Sequence, residues 1–387
     1  MSKIKIAILM NAFWNNGKGT SGGDQRITQI FKRLGAFFEI DIYTTEDGKK
    51  LVASDIQANF IISPRDFDNK SLIKSYYLKT KWASKKMLEK KYDVIYSSSD
   101  FFPDVIPASS YVSKNTQTKW IQVVHHIYPN WKKRPGNKIK NFAAKFLQDL
   151  SFSYIKKNAN LVITVSEKVK KELVEKCFFK KNIAVNHNGI DVDFFDSIKT
   201  NKIKNRVTFL ARLNPSKGIF DIAQIWSKVI KKNPAEKLEI IGSGPTEIVK
   251  KLQDEIKNKK LNDSITLHGF LPNDQAFKIL KSSEIFISPS HEEGFGIAVG
   301  EAMAAKCAVI CWDLSIYKNI FEDKIITISE NDIDGFANSI IVLMNDPDKI
   351  KKYADLGYNY IKKYNWGNIS KKEYQFIKST YEEKNIS

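Results

Sequence analysis

The chain has 387 residues, 42% of them hydrophobic and 12% aromatic, which is material for two cores and excludes a disordered chain. Its formal charge is +19, but only six of the 62 basic residues are arginine, the side chain suited to bidentate base reading, so nucleic acid is not an expected partner. No apolar run reaches the roughly 18 residues of a spanning helix, and the three cysteines (Cys177, Cys307, Cys311) have neither disulfide-framework count nor metal-ligand spacing and fit a reducing cytoplasm.

Short β-branched runs alternate with longer amphipathic stretches, the pattern of parallel βα units. In the first half the runs at 3–10, 38–44, 58–62, 92–97, 120–125, 160–165 and 182–186 are expected strands. Met1 to Met10 is read as the first of these, since Lys5 interrupts the apolar run and no small-residue cleavage site follows. The glycine-rich segment from Gly17 through Gly22, Gly23 and Asp24 comes next, without the closing Gly-Lys-Ser/Thr of a P-loop. It is expected to meet a phosphate or an acceptor. His125 and His126 end the fifth run, and neighbours on a strand face opposite sides, so one of them at most faces a ligand. Lys132, Lys133, Arg134, Lys138, Lys140 and Lys145 follow, in a half (residues 1–200) holding 34 Lys and Arg against 19 Asp and Glu. An anionic membrane surface, or a phosphate-bearing lipid, is an expected partner for that half. The helical spacing of Lys168 to Glu175 leads to Asn188-Gly189-Ile190-Asp191, near which a first domain (1–193) is expected to end.

The second domain (194–367) has expected strands at 206–210, 237–241, 264–268, 284–288, 307–312 and 324–328, with a helix from Pro245 to Lys257. Arg212 and Lys217 follow its first strand, where two cations can neutralise a departing diphosphate. Gly242-Ser243-Gly244-Pro245 makes a strand-to-helix turn. After the fourth strand comes Ser290-His291-Glu292-Glu293-Gly294-Phe295-Gly296, then a helix carrying Glu301. Glycines there let backbone N–H groups approach a ligand, and the helix start favours an anion. Glu293 and Glu301 suit a polyhydroxylated group, one accepting hydrogen bonds from sugar hydroxyls and the other from a ribose. The alternative is that they are loop and surface charges. The chain closes with a lysine-rich stretch of helical spacing.

In this order the segments resemble glycosyltransferase family 4, the retaining group 1 enzymes of the GT-B fold. The set comprises Gly22-Gly23, His125, Thr164-Val165-Ser166-Glu167, Asn188-Gly189-Ile190-Asp191, Arg212 with Lys217-Gly218, Gly242-Ser243-Gly244-Pro245, and Glu293 with Glu301-Ala302-Met303-Ala304. The resemblance implies α/β architecture, with two Rossmann-like doubly wound domains facing across a cleft, the first binding the acceptor and the second a nucleotide-sugar. By carry-over Glu293 and His125 are catalytic. Arg212, Lys217, Gly242, Gly244, Gly294, Phe295, Gly296 and Glu301 bind the donor, and Gly22, Gly23 and Asp24 form the acceptor or phosphate loop. No metal or other cofactor is expected. The segment at about 368–387 resembles the helix that packs back on the first domain. The expected activity is transfer of a hexose from a UDP- or GDP-sugar to a glycan or lipid-linked acceptor in envelope polysaccharide synthesis, at the inner face of the membrane. A nucleotide-sugar epimerase and a noncatalytic nucleotide-sugar-binding protein are the alternatives on the same fold. Two departures stand out: Ala211 precedes Arg212 where the family has glycine, and Lys306 takes a position normally occupied by glycine.

Overall fold

A strand covered by helices on both faces is apolar along its whole length, not at alternate positions. Ala308–Trp312 and Leu161–Thr164 are buried at every residue for this reason. The computed structural model describes residues 3–12, 22–132, 134, 137–180 and 182–383, so Gly17 to Ser21 and Lys133 lie outside the described residues. It divides into two units. The first comprises residues 1–188 with 366–387, and the second residues 189–365. The division falls ahead of the expected 193/194 boundary, which lies inside the short helix Val192–Ser197.

The first unit contains β1 (Ile4–Leu9), β2 (Phe38–Thr44), β3 (Asn59–Ile62), β4 (Val94–Ser97), β5 (Lys119–Val124), β6 (Leu161–Thr164) and β7 (Ile183–Val185). They form a parallel sheet in the order β3-β2-β1-β4-β5-β6-β7. On one face Phe102–Lys114 packs between Leu72–Lys86 and Lys138–Asn158, while Gly22–Leu34 packs against the C-terminal helix Trp366–Glu382. Trp366, Ile369 and Ile377 of that last helix join Ile6, Ile8, Ile27 and Phe31 in one core. Losing a buried tryptophan of this kind costs about 3–5 kcal/mol, so the chain's final helix is a structural member of the first unit.

The second unit contains β8 (Ile203–Leu210), β9 (Leu238–Ile241), β10 (Ile265–Gly269), β11 (Ser283–Ser288), β12 (Ala308–Trp312) and β13 (Ile326–Ile328). Its sheet is also parallel, in the order β10-β9-β8-β11-β12-β13. Strand β8 starts earlier than the apolar pattern indicates. Ile203 pairs with Ser283 ahead of a register shift, and Asn205 takes a left-handed φ of 57° between that pairing and the main ladder. Among the described residues no helix is long and apolar enough to cross a membrane.

Candidate active site

In an open parallel sheet a ligand finds room outside the carboxyl ends of the two strands from which the chain winds in opposite directions. In the second unit those strands are β8 and β11. The loop after β8 is shaped by Asn214, whose side chain accepts from Ser216 N at 3.0 Å and starts the turn Pro215–Lys217. Gly218 then takes φ 70°, and a Cβ on it would lie 1.8 Å from the Pro289 carbonyl oxygen. Only glycine lets the two loops meet so closely. Their contact is sealed by His291 N donating to Ser216 O at 2.9 Å.

This contact aims Lys217 at the β11 loop. Its Nζ donates to Glu293 Oε1 at 2.5 Å and to Glu292 O at 3.1 Å, and Ser290 Oγ donates to the same Glu293 oxygen at 3.1 Å. Arg212, on the same β8 loop, is exposed and makes no side-chain hydrogen bond or ion pair among the described residues. Its loop rests on the glycine turn after β9, where Leu213 N donates to Ser243 O at 2.8 Å. A Cβ on Gly242 would lie 1.8 Å from Ala211 O, and one on Gly244 2.1 Å from Leu213 O. Close backbone packing beneath Arg212 therefore accounts for both glycines.

Beyond Glu293 the chain enters the helix Ile297–Ala304 through Gly296, whose φ is 94°. The Phe295 side chain is buried between Phe321 and Tyr364, with ring centroids at 5.9 and 5.5 Å, so only its backbone is left to meet a ligand. Glu301 is 7% exposed, which removes the surface-charge alternative for it. At the end of this helix Lys306 N donates to Met303 O and Cys307 N to Ala302 O, with Lys306 at φ 59°. This is the glycine-type helix stop made by a lysine. The turn survives the departure from the family, and Lys306 Nζ lies 4.5 Å from the Tyr358 ring centroid.

His291 was given no role by the sequence, because its partners come from distant elements. Nε2 faces Asp221 Oδ2 at 2.9 Å and Nδ1 faces Glu330 Oε1 at 2.6 Å. The hydrogen bond to Asp221, with that to Glu330, raises its pKa above the ordinary histidine value against the opposing effect of burial. Only a protonated ring donates to both carboxylates.

In the first unit the winding reverses between β1 and β4. Past β1, Asn11 N and Ala12 N donate to Asp104 Oδ1 at 2.7 and 3.1 Å, and Ser99 Oγ donates to Asp104 Oδ2 at 2.6 Å. Burial pushes the Asp104 carboxyl up to about 7. Its place before Val105 in an apolar helical run gave no signal of this role. His125 stands just past β5, with Nε2 2.9 Å from Ser98 O. A carbonyl only accepts, so Nε2 carries the proton and Nδ1 keeps a lone pair. Burial lowers the His125 pKa to about 4, leaving the ring uncharged at neutral pH. Gly23, in the first turn of Gly22–Leu34 with Gly22 and Asp24, lies against this ring, where a Cβ would come within 3.0 Å of Nε2. The sequence-distant residues Gly23 and His125 are thus brought together.

The helix bearing Gly23 is held from below by a buried network. Arg26 Nη2 pairs with Glu373 Oε2 at 2.5 Å, both side chains being 0% exposed. Arg26 Nη1 donates to Asn186 O, His187 O and Asn188 Oδ1, while Tyr96 OH and Asn186 Nδ2 each donate to Glu373 at 2.5 Å.

Residues 192–363 match the family model for group 1 glycosyl transferases, and residues 20–194 that for glycosyltransferase family 4. Over 165 residues (42% of this chain) the sequence is 30% identical to the poly(glycerol-phosphate) alpha-glucosyltransferase of Bacillus subtilis, the match taking in 24% of that protein. Over 353 residues it is 25% identical to the poly(ribitol-phosphate) alpha-N-acetylglucosaminyltransferase of Staphylococcus aureus, covering 86% of this chain and 65% of that one. The chain thus spans less than two thirds of the length of either relative. The solved structure of Anabaena HepE in complex with UDP and glucose superposes with a TM-score of 0.76 at 16% identity, over 97% of this chain and 100% of that one, a likeness of fold. With matches to the family's two models meeting between its two parallel sheets, this chain belongs to glycosyltransferase family 4, group 1, and has the GT-B fold.

Proposed function

We propose that this chain is a retaining hexosyltransferase that moves a hexose from a UDP- or GDP-sugar to a glycan or lipid-linked acceptor in surface polysaccharide synthesis, with no divalent cation. The observation that carries this reading is the Lys217–Glu293 contact of 2.5 Å at the carboxyl ends of β8 and β11, with Arg212 exposed on the same loop as Lys217. A diphosphate competes with Glu293 for the Lys217 ammonium. Once Lys217 turns to phosphate, the Glu293 carboxylate accepts hydrogen bonds from the hydroxyls of the transferred sugar. Lys217 and Arg212 then neutralise the charge that builds on the departing diphosphate, and a group of this kind is worth on the order of 10²–10³-fold in turnover. Glu301 accepts from the ribose. The glycine turn 242–244 supports Arg212, and Gly294 to Gly296 offer backbone N–H groups.

On the first unit the neutral His125, its Nε2–H given to Ser98 O, accepts a hydrogen bond at Nδ1 without adding charge, beside Gly22, Gly23 and Asp24. The acceptor oxygen attacks the anomeric carbon on the face from which the diphosphate leaves, and the leaving phosphate takes the acceptor's proton. Relatives named for glycosylating polyol-phosphate polymers support an envelope acceptor. The excess of 34 basic over 19 acidic residues in 1–200 supports a place at an anionic membrane surface on its cytoplasmic side.

The test is release of free nucleotide from a panel of UDP-, GDP- and ADP-sugars in EDTA, with and without a lipid extract. Release from one donor that survives EDTA and falls on the order of 10²-fold in Glu293→Ala is the expected result. Near-normal turnover in Glu293→Ala, or abolition by EDTA, overturns the assignment.

A further inference from the structure

The helix Lys138–Asn158 buries Asn141, Gln148, Ser151, Phe152 and Ile155 against the first unit. That leaves a second apolar stripe in solvent. Ile139, Phe142 and Phe146 recur at helical spacing and are 80%, 52% and 59% exposed. They are also organised: Phe142 stacks on Phe146 with centroids 6.4 Å apart and meets Trp131 edge-on at 5.5 Å. The helix Leu72–Lys86 repeats the arrangement, with Ile73 and Tyr77 one turn apart and 73% and 63% exposed.

Topology puts the two stripes on one surface. Each helix follows a strand of a parallel sheet, so both begin at its carboxyl edge. Phe102–Lys114 packs between them, which fixes all three on the same face, and the Tyr76 ring reaches Phe101 at 6.3 Å on the intervening segment. The charge along the stripes is predominantly positive. Residues 69–86 and 130–146 together contain twelve Lys or Arg and no Asp or Glu. Lys74 stands between Ile73 and Tyr77, and Lys138, Lys140 and Lys145 flank the other stripe.

Exposed aromatics flanked by lysines, of which Lys145 pairs with Asp149 and the buried Lys79 with Asp68 while Lys74, Lys138 and Lys140 remain at the surface, match a bilayer interface bearing anionic headgroups. We propose that the starts of Leu72–Lys86 and Lys138–Asn158 form one membrane-docking surface, with Ile73, Tyr77, Ile139, Phe142 and Phe146 entering the headgroup boundary of an anionic leaflet. This deepens, and rests on, the membrane part of the proposed function, and is independent of the chemistry at Glu293. The apolar contacts anchor and the lysines select. Neutral lipid therefore holds the protein weakly, and salt weakens docking without abolishing it.

The experiment is co-sedimentation of the full chain with vesicles of phosphatidylcholine alone, or of phosphatidylcholine mixed equally with phosphatidylglycerol. The expected result is binding to the mixed vesicles and little to phosphatidylcholine. The double variant Phe142→Glu/Phe146→Glu should weaken partition by about 10-fold or more, and Lys138→Gln/Lys140→Gln by roughly 5-fold per lysine. Circular dichroism establishes that these exposed positions leave the fold intact. Nucleotide release to a water-soluble acceptor, run on the same variants, should be unchanged. Equal binding to both vesicle types, absence of binding to either, or wild-type binding by the phenylalanine variant overturns the docking surface. Loss of nucleotide release in every protein, wild type included, strikes the enzymatic reading instead.

Discussion

Replacing Glu373 by alanine isolates the buried tie between the first and last helices of the first unit. The carboxylate accepts from Arg26, Asn186 Nδ2 and Tyr96 OH, each at 2.5 Å, and neither it nor Arg26 is exposed to water. In Glu373→Ala the Arg26 guanidinium keeps its three acceptors on Nη1. Its Nη2 and the Tyr96 hydroxyl lose theirs, in a place no solvent reaches. Removing one partner of such a pair costs about 3–5 kcal/mol, whereas replacing both with apolar groups of similar volume is close to neutral. The assay is hydrogen exchange read peptide by peptide, which separates opening of the first unit from opening of the second. Exchange in Gly22–Leu34 and Trp366–Glu382 should quicken by roughly 10²- to several 10³-fold, with the second unit's β12 unchanged. Arg26→Met with Glu373→Leu should recover most of the loss. A cost under about 1 kcal/mol for the single variant, or a double variant no better than the single, refutes the reasoning.

The His291 bridge predicts a pH signature. Its folded pKa is raised by two carboxylates, so its contribution to stability is present below the unfolded value near 6.5 and is lost as pH rises through the folded value. The difference in melting temperature between wild type and His291→Asn should therefore shrink from acid to alkaline pH, and a gap that widens with pH would falsify the bridge. Gly218→Ala meets both a left-handed φ of 70° and a carbonyl oxygen 1.8 Å from its Cβ. It should cost at least about 2 kcal/mol and lower kcat/KM by displacing Lys217 from Glu293. Unfolding and turnover both near wild type would mean that the two loops do not need this contact.

The thirteen strands among the described residues were legible as short apolar runs, the central ones such as β6 and β12 buried on both faces and the edge strands β3 and β13 only partly so. Such runs stand out from lysine-rich helices whatever the tertiary context. The early start of β8 is not legible, since Lys204 and Asn205 carry no apolar signal, and this part is held by the pairing of Ile203 with Ser283 and by Asn205 N donating to Glu284 Oε2. The places of the candidate site residues that follow a strand were legible: Arg212 and Lys217 after β8, Glu293 after β11, His125 after β5. What depends on pairing across the chain was hidden. Arg26 and Glu373 are 347 residues apart, and nothing local marks either as buried. Gly242 and Gly244 were legible as a turn, while the backbone of Ala211 and Leu213 pressing on them was not. Lys306 is the reverse case. Its side chain argued against the left-handed conformation that its neighbours' hydrogen bonds impose, at a cost of about 1–2 kcal/mol.

The place of Trp366–Glu382 in the first unit sets an order of manufacture. A ribosome releases residues 1–188 long before it makes the helix that completes their core, and the whole second unit comes between. At ~5–20 residues per second that interval is about 10–40 s. Through it Ile27 and Phe31 lack their apolar partners Trp366, Ile369 and Ile377, and Arg26 has no counter-charge. The second unit can mature before the first, although most of the first is synthesised ahead of it. Truncation at residue 365 would thus spare the second sheet and strike the first.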